Sequence, residues 1–239
     1  MNVESRLSTT AHGIPAPDMS EVARCKELSD AITLNNYAKS SGWAPDVDRI
    51  LIEYCPIEYV GEGEIPKAVS EVLGFNSWMA LSRYVIDDRC DDLFNLLLRY
   101  LIKKGIPHSE NLGFIDGDGI GYTKRYIERL KTTLEMCFDA KYFYRTPRPL
   151  VYAKDKLNLD LVGIANAIHP GHWSYPAGHG TKFFTAVEVV DEIFQIPDDI
   201  RRKIFLAAYA GAMGRSGSLI HYPGDNTAGG VLTTLPEFA

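Results

Sequence analysis

Cysteine is scarce in this chain. Cys25, Cys55, Cys90 and Cys137 are its only four. They lie far apart without a CxxC pair, which leaves no disulfide scaffold and argues against a zinc ribbon or a thioredoxin-type site. Cys137, between Met136 and Phe138, is expected to be a buried free thiol, whereas Cys25 and Cys90 have charged neighbours. Long apolar runs are absent too. No stretch approaches the roughly 18 residues of a membrane span, and the longest, Ile204 to Gly214, suits a buried helix. The N-terminal MNVESRLSTTAHGIPAPDMSEVARCKE has no apolar h-region, so no signal peptide is expected and the expected compartment is the cytoplasm, a removed leader aside. Positive charge is in deficit: 25 Lys and Arg stand against 31 Asp and Glu, for a formal net charge of -6. That balance argues against a nucleic-acid or anionic-membrane binder, so any anion must be held in a local basic pocket.

What is present reads as one globular domain. Its 46% hydrophobic and 23% charged residues over 239 positions exclude disorder and fibrous repeats. Residues 1–18, with Gly13, Pro15 and Pro17, read as an irregular arm preceding a helical domain over 19–239. A helix is expected from about Ser20, a connection over 41–48, and a short apolar piece over 47–54 that stops before Pro56. Glu64-Ile65-Pro66 marks a helix start, after which apolar residues recur at helical spacing to Lys104, with Gly105 as C-cap. After a Gly-rich loop over 105–121, Tyr126, Ile127, Leu130, Leu134, Cys137 and Phe138 share one helical face. Pro147 and Pro149 must break that helix. Further helices are expected over 158–168, from about Ala177 to Phe194, from Pro197 to about Met213, and after Pro223. No alternating strand pattern exceeds a few residues and no repeat is evident, so the fold class is all-α.

The chemistry concentrates in three clusters within 141–225. The first is Lys141 with Arg148-Pro149. The second is Pro176-Ala177-Gly178-His179. The third is Arg215, His221 and Asp225. Pro176 suits the first helical position, which places Gly178 and His179 in a first turn whose free N–H groups and dipole favour an anion. Gly178 would let an oxyanion approach the backbone. Asp225, four residues after His221, reaches back to the imidazole if a helix starts near Tyr222-Pro223, fixing its tautomer. Lys141, Arg148 and Arg215 supply positive charge. Taken singly, each has a bland reading: a surface cation, a structural Gly-His at a helix start, a structural His–Asp pair. The ordered set outweighs them.

That set resembles the signature of the type 2 phosphatidic acid phosphatase and vanadium haloperoxidase superfamily, K-x6-RP, PSGH and SR-x5-H-x3-D. Six residues separate Lys141 from Arg148-Pro149, Pro176-Ala177-Gly178-His179 stands for the second motif, and Gly214-Arg215, His221 and Asp225 keep the spacing of the third. The resemblance implies a helical bundle of the acid phosphatase and haloperoxidase type. It implies that His221 attacks phosphorus to form a phosphohistidine, that His179 protonates the leaving alcohol, and that Asp225 orients His221. Lys141, Arg148, Arg215 and the Gly178 N–H would hold the oxyanion, with no cofactor required. In haloperoxidase members the same pocket holds vanadate, with the His221 equivalent as the metal ligand. Two positions depart from the pattern: the usual serines are Ala177 and Gly214. Losing one charge-assisted donor at Ala177 weakens oxyanion binding by about 1.5–3 kcal/mol unless another donor, such as Ser174, Ser216 or Ser218, replaces it.

The resemblance favours a phosphomonoesterase acting on a small-molecule phosphate ester. The chain is close in size to soluble bacterial acid phosphatases, and Ser174-Tyr175-Pro176 and the His221–Asp225 stretch resemble theirs. The missing signal peptide counts against the secreted acid phosphatases, and the missing spans against the membrane lipid phosphatases. The alternative is a vanadate-dependent haloperoxidase using halide and peroxide, for which His172, seven residues before His179, is the pointer. Its bland reading is a loop histidine capping the next helix. A third reading is a catalytically impaired oxyanion binder. Homo-oligomerisation is left open. Other signals carry less. Asp116-Gly117-Asp118-Gly119 fails as an EF-hand because Ile120 and Ile127 occupy ligand positions. Asp87, Asp88, Asp91 and Asp92 read as a solvated helical face. Tyr142 and Tyr144 read as pocket wall or core.

Overall fold

The computed structural model describes residues 16–39, 65–74, 93–109, 114–115, 122–159, 171–217 and 219–234. Helices dominate them: α1 (Glu21–Lys39), α2 (Ile65–Leu73), α3 (Leu93–Lys103), α4 (Lys124–Tyr144), α5 (Pro149–Leu157), α6 (Gly178–Ile193), α7 (Asp198–Gly217) and α8 (Pro223–Val231), followed by a 3-10 turn over Leu232–Thr234. The all-α expectation holds. One feature it did not include is a two-residue antiparallel pairing of β1 (Phe114–Ile115) with β2 (Tyr122–Thr123). Among the described residues, no helix is long and apolar enough to cross a membrane.

Local chemistry sets the helix ends. Ser20 caps α1, its Oγ accepting the Ala23 N–H at 3.3 Å. Gly105 takes φ 69° and closes α3 with paired reverse bonds, Ile106 N–H to Leu101 C=O at 3.1 Å and Gly105 N–H to Ile102 C=O at 2.9 Å. Arg145, at φ 50°, ends α4. Pro147 and Pro149 do break the chain there, but Pro149 also starts α5 at a position where its missing N–H costs nothing. Asn158, left-handed at φ 53°, ends α5.

The middle of the bundle is α6. Phe183, Phe184, Thr185, Ala186, Val187, Val189 and Val190 are all buried in it. A helix apolar around most of its circumference belongs inside a fold, and α3, α4, α7 and α8 pack around α6, while α7 also packs on α1 and α2. The largest cluster of buried residues joins α2, α3, α6 and α7, with Phe94 stacked on Tyr126 at 4.2 Å.

The structure corrects five local expectations. On α4 the inward face is Tyr126, Thr133, Met136, Cys137, Ala140 and Lys141, while Ile127 and Phe138 are exposed. Thr133 turns inward because its hydroxyl meets that of Thr185 on α6 at 3.2 Å. Pro176 is not the first residue of α6; Ala177 is the N-cap and Gly178 opens the helix. Helix α7 runs on past Met213 to Gly217. Tyr142 is exposed, whereas Tyr144 is half-buried against Tyr175. Cys137 is a buried free thiol as expected, and Cys25 is half-buried. The expected helix over 158–168 does not begin at its first two residues, where Asn158 instead ends α5; the rest of it, the arm up to residue 15, the segments 41–48 and 47–54, the aspartates at 87–92, the expected turn at 116–119, His169, Ser218, Cys55 and Cys90 lie outside the described residues.

Candidate functional site

The three sequence clusters meet where the C-terminal end of α4, the start of α5, the loop into α6, the end of α7 and the start of α8 converge. Lys141, one turn beyond Cys137, falls on the inward face of α4 and is fully buried. Its ammonium donates to the carbonyls of Trp173 and Ser174, each at 2.9 Å, and to that of Pro176. All three donors are thereby committed to the loop that leads into α6. Burial lowers the Lys141 pKa to about 8, with Arg148 and Arg215 adding to the shift and Cys137 and Asp225 opposing it.

Arg148 precedes α5 and is also buried. It donates through Nε to the His172 carbonyl at 3.0 Å and through Nη1 to the Ile220 carbonyl at 2.8 Å. The two ends of its fork face two histidines: Nη1 lies 3.4 Å from His221 Nε2, and Nη2 lies 3.2 Å from His172 Nδ1. Burial, reinforced by Lys141, Arg148 and Arg215, lowers the His172 pKa to about 4, so this ring is neutral near pH 7. His172 is half-buried, with Phe138 edge-on at 5.4 Å.

His221 is delivered by a tight reversal at the end of α7. Leu219 takes φ 59°, and the Arg215 carbonyl accepts the N–H groups of Ile220 and His221 at 3.1 and 3.4 Å. Arg215 is buried beneath it. His221 Nδ1 faces Asp225 Oδ2 at 3.4 Å and Ser174 Oγ at 3.3 Å. The same Oδ2 accepts the Ser174 hydroxyl at 2.5 Å and the Tyr222 N–H at 3.0 Å. The tautomer follows from these partners. A guanidinium can only donate, so Nε2 facing Arg148 is the acceptor, and the proton sits on Nδ1 toward the carboxylate. Burial first, then Arg148, Lys141, Arg215 and His179, holds His221 well below its ordinary pKa. Burial pushes Asp225 up, opposed by Ser174, Lys141 and the Tyr222 N–H. The result is a neutral imidazole whose Nε2 lone pair points among buried cations.

Gly178 and His179 occupy the first turn of α6, where the sequence places them, and are half-buried. His179 bears electrostatically on His221. Ala177 is completely buried, and its N–H donates to the Asp225 carbonyl at 2.8 Å. Of the serines near the motifs, Ser174 ties Asp225 to His221, and Ser216 accepts from Asn226 Nδ2 at 2.9 Å. Both hydroxyls are thus engaged within the protein.

Sequence reasoning missed a charged pair on α1. Arg24 lies over the Tyr222 ring at 4.8 Å and 3.9 Å from Glu27. Glu27 lies so close to Gly224 that a Cβ there would approach its Oε1 to 2.6 Å. Only the i,i+3 spacing of Arg24 and Glu27 was visible beforehand, and that pattern is common on solvated helices. Burial raises the Glu27 pKa from 4.5 to about 7, with Asp225 and Asp30 adding to the rise and Arg24 and Lys26 opposing it. The folded state therefore binds the proton more tightly than the unfolded state. Glu27 stabilises the fold below pH 4.5, and that contribution is lost as pH rises through about 7. Glu27→Gln is expected to remove this slope and to be more stable than the parent chain above neutrality, by on the order of 1–2 kcal/mol after allowing for partial exposure. Urea denaturation across the pH range checks it, and an unchanged slope would contradict it.

Comparison of the chain with family models, with curated protein sequences and with solved structures gives no match.

Proposed function

We propose that the chain is a phosphomonoesterase that works through a phosphohistidine at His221. The observation that carries this reading is the neutral His221, protonated at Nδ1 beside Asp225, with its unprotonated Nε2 facing Arg148 among the buried cations Lys141, Arg148 and Arg215. Burying three cations around one carboxylate is costly unless an anion joins them. A phosphoryl group supplies that charge, and the start of α6 adds the favourable end of a helix dipole. Nε2 attacks phosphorus as the ester P–O bond breaks, His179 gives a proton to the departing alkoxide, and water then cleaves the P–N bond to release phosphate. Arg148, Arg215 and the Gly178 N–H stabilise the equatorial oxygens. Lys141 adds charge while holding the 173–176 loop in place. Ser174 and Asp225 keep the imidazole oriented.

A second reading, a vanadate-dependent haloperoxidase, draws support from His172, which shares Arg148 with His221. The same residues fit a tetrahedral vanadate: His221 Nε2 would be the ligand, and Arg148, Arg215 and Gly178 would hold its oxygens. When bound, vanadate supplies peroxide activation for halide oxidation. Ala177 is the one feature favouring a third reading, an oxyanion binder with impaired turnover.

Isothermal titration is expected to show phosphate and vanadate competing for one site, together with hydrolysis of p-nitrophenyl phosphate. Failure of both anions to bind would overturn the reading. Reconstitution with vanadate, bromide and peroxide separates the first two readings. Halogenation of a phenol reporter without phosphatase activity would reverse their order.

A further inference from the structure

Beside the buried cations lies a cavity of about 200 Å³, walled by Thr146, Pro147, Val151 and Trp173 together with Arg148 and His172. Its surface is mostly apolar, and the Thr146 groups and the Trp173 carbonyl in its wall already have partners. The Thr146 carbonyl accepts the Ser174 N–H at 2.9 Å, and the Thr146 hydroxyl points at Met19 Sδ at 3.8 Å. The Trp173 carbonyl accepts Lys141, and Arg148 Nε is spent on the His172 carbonyl. A polyol entering here would leave hydroxyls without partners, a desolvation cost that an apolar group avoids.

The cavity and the anion pocket share one side chain. Arg148 presents Nη1 toward His221 Nε2 and Nη2 toward His172, which stands in the cavity wall. An anionic head gripped by this guanidinium therefore carries its substituent into the space between Pro147, Val151 and Trp173. An apolar cavity of about 150 Å³ is enough to hold benzene, so this one has room for one ring of that size. We propose that the cavity seats the organic group of the ester, and that the substrate is a monoester of a compact apolar alcohol, such as an aryl or short branched alkyl phosphate.

The inference rests on the phosphomonoesterase reading, and its test separates the two. Inorganic phosphate, methylphosphonate and phenylphosphonate are titrated calorimetrically into the full chain and into Val151→Phe, which fills the cavity from a half-buried position. Phenylphosphonate is expected to bind about ten-fold more tightly than methylphosphonate. In Val151→Phe that gap should close while the affinity for inorganic phosphate is kept. Equal affinities in the parent chain, or a gap that survives Val151→Phe, would overturn the subsite and leave the anion site standing. Failure of all three ligands to bind the parent chain would overturn both. The parent chain alone gives a second readout that needs no variant: kcat/KM for isobutyl phosphate should exceed that for glycerol 2-phosphate by about ten-fold, both being alkyl esters with poor leaving groups, and equal values or the reverse order would also reject the subsite.

Discussion

His221→Ala is expected to lower kcat on p-nitrophenyl phosphate by at least about 10³-fold, because in the proposed mechanism it removes the atom that attacks phosphorus. The loss should appear in kcat far more than in phosphate affinity, since the cations and the α6 terminus remain. Arg148 is anchored independently of His221 by the carbonyls of His172 and Ile220, so the oxyanion pocket survives the change. His179→Ala is expected to cost less, about 10²- to 10⁴-fold, the range for a positioned general acid. Its deficit should shrink with esters of acidic alcohols, which leave without protonation. Steady-state kinetics with p-nitrophenyl and alkyl phosphates, alongside phosphate titration, measures both effects. Unchanged turnover in the two variants would refute the assigned roles.

The parts of this arrangement that were legible in the sequence are those encoded by short spacing. His221 and Asp225 are four residues apart, and Pro223 fixes the helix start between them, so one local rule brings imidazole and carboxylate together. Gly105 and Ser20 carry the same kind of local signal. What was not legible depends on neighbours remote in sequence. The inward face of α4 is set by α6, through the Thr133–Thr185 contact, and two threonines leave no mark in a hydrophobic pattern. Lys141 is recognisable as a cation from its motif, yet its three bonds go to carbonyls 32 to 35 residues away. Ser174 is an ordinary loop serine until α8 places Asp225 beside it, 51 residues downstream. Arg24 and Glu27 look like a solvated helical pair until Tyr222 and Gly224 close over them.

Gly229→Ala tests how the packing holds the site together, and it is expected to reverse the usual sign of such a change. Within a helix, alanine normally stabilises relative to glycine by about 0.5–1 kcal/mol. At Gly229 the added Cβ would lie 2.4 Å from the Ala177 carbonyl and 2.9 Å from the Thr181 nitrogen. That carbonyl already accepts the Thr181 N–H at 3.0 Å, so the methyl would strike the first turn of α6 itself. Relief requires α6 and α8 to separate, and the bond from the Ala177 N–H to the Asp225 carbonyl runs directly between them. Overpacking of this kind costs about 1–3 kcal/mol, which corresponds to a Tm drop of about 2–12 °C at this size. Because Gly178 and His179 ride on the displaced turn, kcat/KM should also fall, by about 10²-fold for a misplacement near 1 Å. Gly178→Ala is the matching control. Its Cβ would meet nothing closer than Cys137 Sγ and Leu134 at 4.0 Å, so Tm is expected to hold. Any loss of phosphate affinity in Gly178→Ala would then come from the methyl standing where the oxyanion approaches the backbone. Thermal melts of the two variants, read beside their phosphate titrations, separate packing from chemistry at the start of α6. A Gly229→Ala protein as stable and as active as the parent would show that the crossing of α6 and α8 does not position the site.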